Sequence, residues 1–396
     1  MAVPGIVSSR GGSSQVRRAN VSRLLRLTNE HGPLSRAELT RLTELSRSTI
    51  GGLVADLAAR GFVVEAAPED TGAAGRPSPI VRPSDDIVAL AVNPELDSIT
   101  IGAVGLGGAV RFRMRHEVQD HSAAAAIDLI TKLVGAVHAR FTTEQVVGVG
   151  IAVPGLVQPD SGVVRLAPHL GWHDVHMAET ITMRTGLPAY VENDASLGAA
   201  AEAMFGAGRG HDTVLYLHGG SSGIGGGVRA RGQQLPSAQG YIAELGHTLV
   251  NSHGRRCHCS AIGCLETEVR FDALLRAMGL DDLDLREVGA AIASHRSPAL
   301  DEIIAGQLRM LAVGLRNAVN AFNPSLIVLG GFLSALYESQ PETLETALRE
   351  QLMPPIAEAL ELSRGTLGVD RLLVGAAQLA FEPMLDDPLE FALPIY

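Results

Sequence analysis

Apolar side chains near the amino terminus recur at the spacing of an amphipathic helix. Residues 16–30 carry them on one face, and the run stops at His31-Gly-Pro33, which predicts a first helix. Ser35 and Glu38 then form a Ser-x-x-Glu capping box. The box predicts the start of a second, short helix that continues through Thr43.

A third helix is predicted after Ser46, which is a second N-cap residue, and ends at Gly61. Its apolar stripe has the spacing i, i+3, i+4, i+7 and consists of Ile50, Leu53, Val54 and Leu57. Two capped helices joined by a tight turn are typical of a helix-turn-helix, whose second helix begins here with Arg47, Ser48 and Thr49. These three side chains are candidates for contacts with DNA. The alternative is a three-helix bundle that mediates protein contacts.

A wing follows the third helix in this interpretation. Residues 62–65 are predicted to form a strand, residues 66–74 a turn-rich tip and residues 79–81 the returning strand. Gly75-Arg76-Pro77 forms a narrow extended unit near the tip. Arg76 is therefore a candidate for insertion into a minor groove, where the potential is most negative.

From residue 87 onward, the pattern changes to alternating strands and helices. Strands are predicted at 87–92, 98–104, 110–116, 146–153, 189–191, 213–217, 223–228 and 326–329, of which 146–153 is expected to be buried, with a helix at 123–140. This order predicts a mixed α/β fold with helices on the faces of the sheets. Because the alternation returns in the second half, two related lobes are expected.

The length and charge agree with a small head on a large body. The chain has 396 residues, of which 46% are hydrophobic, enough for a small domain and a two-lobed one. Residues 1–82 contain 11 Arg, no Lys and 7 Asp or Glu, which gives a net charge of +4. Because the net charge of the whole chain is −11, the remaining residues carry −15. A basic head could approach DNA phosphates. Neither a secretory signal nor a long apolar run is found, so a cytoplasmic protein without membrane contact is expected.

Asn193 and Asp194 stand between a predicted strand and a predicted helix. A carboxylate accepts hydrogen bonds from hydroxyls and an amide both donates and accepts, so the pair suits a polyol ligand. In a kinase, such an Asp would also take the proton from an attacking hydroxyl. The alternative is that Asp194 only caps the helix.

The three cysteines of the chain fall within eight residues, close after a histidine. His247, Cys257, Cys259 and Cys264 supply the four ligands of a closed tetrahedral zinc site in a loop at 247–264, which would be structural because no position remains for water. The alternatives are unliganded cysteines and a redox cluster. His258 could also replace His247 as the fourth ligand.

These motifs together resemble the ROK family of repressors and sugar kinases, over residues 86–388. The matching segments are Gly148-Val-Gly-Ile-Ala-Val-Pro-Gly155, Ala167-Pro-His-Leu-Gly-Trp172, Val191-Glu-Asn-Asp194, Glu244-Leu-Gly-His247, Cys257-His-Cys-Ser-Ala-Ile-Gly-Cys264-Leu-Glu266 and Ile327-Val-Leu-Gly-Gly331. The resemblance implies an actin-like, sugar-kinase fold. It also implies a sugar bound between the lobes by Asn193, Asp194, Glu244, His247 and Glu266.

The sequence departs from the family pattern in three places. Ser260 stands where a glycine is usual and His169 where an asparagine is frequent. Residues 92–97, Val-Asn-Pro-Glu-Leu-Asp, replace the Asp-x-Gly-Gly-Thr phosphate loop of the kinases, so phosphoryl transfer and a catalytic residue are not expected. The glycine-rich turn at 219–227 is interpreted as a remnant that serves the fold.

The resemblance, together with the head, predicts a transcriptional repressor of carbohydrate metabolism. The expected parts are a flexible arm at 1–15, a winged helix-turn-helix at 16–82 and the body at 86–388. The expected partners are operator DNA, a sugar or sugar phosphate effector and a second copy in a homodimer or homotetramer, with structural Zn²⁺ as the cofactor. The alternatives are a ROK sugar kinase that carries a DNA-binding head and a regulator whose effector is a protein.

Overall fold

The structure is a computed structural model that describes residues 12–67, 78–221, 223–235 and 237–391. Contacts divide the chain into two compact units. The first unit comprises the described residues up to Ile151, His176–Val191 and those from Ala376 onward; the second comprises Ala152–Val175 and Glu192–Gly375. Each unit therefore combines segments that are distant in sequence. Within the described ranges, no helix has the length and apolarity that a membrane crossing requires.

The amino-terminal elements follow the predicted order. They are α1 (Gly12–His31), β1 (Leu34–Ser35), α2 (Arg36–Thr43), α3 (Arg47–Ala59), β2 (Val63–Ala66) and β3 (Ile80–Pro83). Helix α1 begins at Gly12 rather than at residue 16, and both wing strands begin one residue later than expected. The three strands form an antiparallel sheet in the order β1-β3-β2.

Hydrogen bonds at the helix ends confirm the predicted caps. The Glu38 amide donates to Ser35 Oγ over 3.1 Å, and the Ser35 amide donates to the Glu38 carboxylate over 2.8 Å. Ser46 Oγ accepts from the Thr49 amide over 3.2 Å. Between the two helices, Glu44 adopts the left-handed conformation with φ 61°. The tight turn therefore leaves α2 and α3 with defined ends.

The remaining elements include the strands predicted from the sequence, together with strands and helices that it did not predict. They are β4 (Ile87–Pro94), β5 (Ser98–Gly105), β6 (Val110–Glu117), α4 (Ala123–His138), β7 (Gln145–Val153), β8 (Leu156–Gln158), β9 (Val163–Ala167), β10 (Trp172–His176), α5 (Met177–Thr185), β11 (Ala189–Asn193), α6 (Asp194–Phe205), β12 (Thr213–Gly219), β13 (Ile224–Ala230), β14 (Gln233–Gln234), α7 (Leu265–Glu268), α8 (Phe271–Met278), α9 (Val288–Ser294), α10 (Pro298–Phe322), β15 (Leu326–Gly331), α11 (Phe332–Ser339), α12 (Pro341–Arg349), α13 (Pro354–Ala359), β16 (Glu361–Arg364) and α14 (Arg371–Asp386), with short 3-10 turns at Leu245–His247 and Gly368–Asp370.

The two large sheets share one plan. In the first, with the order β11-β7-β4-β5-β6, strand β4 is parallel to β7 and antiparallel to β5. In the second, with the order β14-β13-β12-β15-β16, strand β12 is parallel to β15 and antiparallel to β13. Strands β4 and β5 are buried along their whole length, as expected of strands covered on both faces. The mixed α/β class and the repeated alternation are confirmed.

The carboxyl-terminal helix α14 packs within the first unit against both the sheet and α1. A Cβ on Gly150 of β7 would lie 1.7 Å from the Ala376 carbonyl oxygen, so this close approach requires glycine. The buried Asn29 of α1 donates from Nδ2 to Gln378 Oε1 of α14 over 2.7 Å and accepts from the Gly107 amide over 2.8 Å. Buried amide pairs of this kind fix one orientation, because a shift would leave polar groups unpaired.

Candidate functional site

The first turn of α3 presents three polar side chains to solvent. Arg47, Ser48 and Thr49 are all exposed, while Ser46 accepts hydrogen bonds that fix the start of the helix. Ser46 Oγ also lies 2.9 Å from both Ser48 Oγ and Thr49 Oγ1. The turn is therefore ordered before any partner arrives. Arg76, the fourth predicted DNA contact, lies outside the described residues.

Asn193, and not Asp194, caps helix α6. Asn193 Oδ1 accepts from the Ser196 amide over 2.9 Å, and its Nδ2 donates to the Gly155 carbonyl over 2.9 Å. Asp194 is the first helical residue. Asp194 Oδ1 accepts from the Ala195 amide over 2.8 Å, so Asp194 also satisfies one amide of this helix end. Its contact with a sugar stays a prediction.

Two other carboxylates of the second unit lie close enough to Glu244 to affect its pKa. Burial raises the pKa of the Glu244 carboxyl, and Asp194 and Glu266 raise it further. Glu244 and Asn193 also line one narrow recess, bordered in addition by Ser196 and by residues 155–157 and 240–242. Polar side chains that are distant in sequence thus border the same recess.

A further carboxyl belongs to Glu192, which directly precedes Asn193 and is only 4% exposed. Its Oε1 accepts from the Asn193 amide over 2.8 Å. Burial raises the pKa of Glu192 to about 7, although this hydrogen bond and the charge of Arg229 lower it. The sequence analysis did not single it out, since burial is not visible in the local sequence.

The predicted metal ligands form one cluster. One ligand atom from each of His247, Cys257, Cys259 and Cys264 lies within 4.8 Å of all the others. Cys257 Sγ lies 3.5 Å from His247 Nδ1, and Cys259 Sγ lies 3.7 Å from Cys264 Sγ. Three thiols and an imidazole gathered in this way could hold a metal ion.

A second group shares two of these residues. His247, Cys257, His258 and Glu266 also bring their ligand atoms within 4.8 Å of one another. His258 Nδ1 lies 3.1 Å from Glu266 Oε1, but His258 is not grouped with Cys259 and Cys264. His247 is therefore the better fourth partner of the three thiols. The His169 ring stands 5.8 Å from the His258 ring, so this departure from the family pattern also lies at the site.

The glycine-rich turn and strand β13 pack tightly against the candidate ligand site. A Cβ on Gly223 would lie 2.7 Å from Glu266 Oε2, and a Cβ on Gly225 would lie 2.8 Å from the Ala195 Cβ. These glycines therefore serve close packing around Glu266 and helix α6. Such contacts agree with the interpretation that the turn serves the fold.

The sequence analysis missed a buried polar chain in the second unit. The Tyr216 hydroxyl lies 3.1 Å from His218 Nδ1, and Arg371 Nη2 donates to His218 Nε2 over 3.2 Å. Burial lowers the pKa of His218, and Arg371 lowers it further. His218 and Arg371 are 153 positions apart, so no local pattern relates them. Arg371 opens helix α14, the helix that contacts α1 in the first unit.

A sequence model of the ROK family matches residues 96–382 of this chain. The chain belongs to the ROK family. A model of the MarR family matches residues 16–72, which cover the capped helix pair and the first wing strand. This ROK protein therefore combines a MarR-type winged helix with the body of the family.

Relatives extend over nearly the whole ROK chain. The xylose repressor of Bacillus spizizenii is 26% identical over 383 residues, which cover 94% of this chain and 97% of that protein. A crystal structure described as a ROK family transcriptional regulator homologous to the Escherichia coli MLC protein has a TM-score of 0.78 and 25% identity, and covers 94% of this chain and 97% of that one.

A kinase of the family matches a smaller share of the chain. The ROK family glucokinase from Streptomyces griseus, solved with glucose and AMPPNP, has a TM-score of 0.65 and 26% identity. The match covers 99% of the glucokinase but 74% of this chain. The sugar-kinase fold expected of the body is confirmed, and about a quarter of this chain has no counterpart in the kinase.

Proposed function

We propose that this ROK protein is a sequence-specific DNA-binding transcriptional regulator, a repressor of carbohydrate genes, whose effector is a sugar or sugar phosphate. The observation that carries the proposal is the exposed, capped first turn of α3 in a chain whose full-length relatives are named as repressors. A recognition helix needs such a turn to enter a major groove, whereas phosphoryl transfer does not.

DNA recognition is assigned to the first turn of α3 and to the wing. Arg47 is suited to a bidentate contact with guanine, and Ser48 and Thr49 to phosphates or base edges. Arg76 is assigned to the minor groove, where the potential is most negative. A homodimer or homotetramer would present two such heads to a palindromic operator.

The effector is assigned to the polar recess of the second unit. Asn193, Asp194, Glu244 and Glu266 would bind its hydroxyl groups, and His247 would contribute from the metal loop. Support comes from the recess that Asn193 and Glu244 share and from the effect of Asp194 and Glu266 on the pKa of Glu244. The Glu266 side chain is 10% exposed, and a buried carboxylate discriminates well among hydroxyl positions, since a missing partner leaves it unpaired.

The ion assigned to the thiol cluster is structural Zn²⁺. With Zn–S at about 2.3 Å and Zn–N at about 2.0–2.1 Å, tetrahedral neighbours stand about 3.5–3.8 Å apart. The 3.7 Å between Cys259 and Cys264 and the 3.5 Å between Cys257 and His247 fit that geometry. Four protein ligands leave no place for reactive water. The ion would fix the loop that directly precedes Glu266.

The hairpin between β4 and β5 argues against a phosphate loop. Pro94 has no amide hydrogen, and the Glu95 amide already donates to the Ser98 carbonyl over 2.7 Å. The exposed tip carries Glu95 and Asp97, whose negative charge opposes phosphate. We therefore assign no catalytic residue to the protein.

Helix α14 is the proposed route from effector to head. It starts in the second unit with Arg371, beside His218, and continues in the first unit, where Gln378 contacts Asn29 of α1. The charge of Asp194 acts on Tyr216, the other end of the His218 chain. A sugar that favours one arrangement tenfold supplies about 1.4 kcal/mol of coupling.

The test uses DNA selected by the protein from a random library, followed by titration with a panel of sugars and sugar phosphates. Arg47→Ala should weaken specific binding by about 1–3 kcal/mol. Asp194→Ala should keep DNA affinity and lose the sugar response. Equal loss of both properties in each variant would contradict this division of roles, and a wild type that selects no DNA would refute the proposal.

A sugar kinase is the second candidate, favoured by the likeness to the glucokinase and by Asp194 at the start of α6. A coupled assay with ATP and the same sugars distinguishes the two. Turnover above about 1 per second would overturn the regulatory assignment.

A further inference from the structure

Arg36, the first residue of α2, joins the wing to the helix-turn-helix. Its Nε donates to Glu65 Oε1 and its Nη2 to Glu65 Oε2, each over 2.6 Å, which makes a two-point fork with strand β2. The Arg36 amide donates to the Pro79 carbonyl, directly before β3, over 3.0 Å. One residue thus contacts both sides of the wing stem.

The remaining nitrogen of the Arg36 guanidinium, Nη1, lies next to α3, the candidate recognition helix. A Cβ on Gly51 of α3 would lie 3.5 Å from Arg36 Nη1, whereas a Cβ on Gly52 would meet no atom within 4 Å. Among the described residues, Nη1 has no hydrogen-bond acceptor, and a third of the Arg36 side chain is exposed. Two N–H donors therefore remain available beside the first turns of α3.

We propose that Arg36 is a DNA-phosphate contact and that Glu65 is the residue that positions it. This inference rests on the proposed DNA-binding function. A guanidinium has five N–H donors in a rigid plane, so a carboxylate fork on two nitrogens fixes where the third points. The phosphates that flank a major groove lie next to a recognition helix seated in it, which is where Nη1 is directed.

The charges explain why a carboxylate belongs beside a phosphate contact. Glu65 offsets the charge of Arg36 at long range, so the contribution of Arg36 to DNA binding depends on the direct contact between Nη1 and a phosphate. The fork itself contributes little to the free energy of unfolding, because the Arg36 side chain is 33% exposed and the Glu65 side chain 31%. Its role is then to hold the arginine in its binding conformation before DNA arrives, which lowers the entropic cost of the contact.

The decisive experiment changes Glu65, because two explanations predict opposite signs. If Glu65 were only a negative charge near DNA, Glu65→Gln would tighten binding. If Glu65 positions Arg36, Glu65→Gln should weaken binding about 3–10-fold, although one negative charge is lost. The probes are a labelled duplex selected by the protein and a labelled duplex of random sequence, measured over a series of salt concentrations. Glu44→Gln is the matched control, since Glu44 is an exposed acid of the same head without a side-chain ion pair in the described residues.

Arg36 variants test the phosphate contact itself. Arg36→Ala should reduce the slope of log affinity against log salt by about one unit on both duplexes. Arg36→Lys should retain the slope and still bind less tightly, because an ammonium cannot form the fork. Thermal unfolding identifies a variant whose head has lost its fold, and in that case the comparison of Glu65→Gln with Glu44→Gln decides alone.

An unchanged salt slope in a folded Arg36→Ala variant would overturn the inference. Tighter binding of Glu65→Gln, equal to that of Glu44→Gln, would overturn it as well. If Arg47→Ala weakens binding while both Arg36 variants behave as wild type, the regulatory function stands and only the role of Arg36 fails. If the wild type binds neither duplex, the function itself fails.

Discussion

The buried carboxyl of Glu192 should make the stability of the second unit depend on pH. Its pKa is about 7 in the folded protein, against an ordinary value of 4.5, chiefly because burial disfavours the charged form. Between these two values, the folded state holds a proton that the unfolded chain has released. The free energy of unfolding should therefore fall as the pH rises from about 4.5 to 7 and level off above that range.

The size of the effect follows from the two pKa values. They differ by about 2.5, and each unit corresponds to about 1.4 kcal/mol, so ionised Glu192 costs about 3 kcal/mol at pH 8. Glu192→Gln removes the ionisation and keeps an oxygen that can accept from the Asn193 amide. We expect the variant to match the wild type at pH 4.5 and to exceed its stability by up to about 3 kcal/mol at pH 8.

The assay is urea unfolding of both proteins at several pH values, and the quantity compared is the difference between them at each pH. Because the other titrating groups are common to both proteins, the difference isolates Glu192. Glu302→Gln, an exposed glutamate on α10, changes the same charge without altering a buried group. A difference that stays constant from pH 4.5 to 8, or that favours the wild type at high pH, would refute the reasoning.

Three further changes test the metal loop and the contact between α1 and α14. Cys259→Ser should remove bound zinc and lower the melting temperature, and unchanged zinc content by elemental analysis would contradict the site. Ser260→Gly should raise the free energy of unfolding by about 0.5–1 kcal/mol, because Ser260 has φ 77°, a region that favours glycine; chemical denaturation measures it, and a loss of stability would count against local strain. Asn29→Ala should cost about 1–3 kcal/mol, because it leaves the buried Gln378 Oε1 without its hydrogen-bond donor. Ser22→Ala, which removes a partly buried bond to α14, is its control, and an equal loss in both would contradict a special role of Asn29.

Features set by neighbouring residues could be predicted from the sequence. The caps at Ser35 and Ser46 depend on hydrogen bonds over three positions, and the structure has both. The thiol cluster could also be predicted, because three cysteines within eight residues cannot lie far apart. The unusual Ser260 is explained only by its backbone, since a left-handed φ shows why glycine is usual there.

Features set by distant residues could not be predicted. Gly51 and Gly52 look equivalent in the sequence, yet Gly51 faces the Arg36 guanidinium and Gly52 faces open space. The partner of Arg36, Glu65, is 29 positions away, and nothing in the local pattern selects it among the acids of the head. The same holds for Asn193, whose Nδ2 donates to the Gly155 carbonyl 38 positions away.

The contact between α1 and α14 shows what this limit means for function. Asn29 and Gln378 are 349 positions apart, and each has an unremarkable local sequence, since a buried amide is defined by its partner. Both side chains are nearly inaccessible to water, so a movement that separated α1 from α14 would leave Asn29 Nδ2 and Gln378 Oε1 without each other as partners. Breaking this hydrogen bond would consume as much free energy as a tenfold effector preference supplies. Under the proposed function, we therefore expect the bond between α1 and α14 to persist when sugar acts on the head.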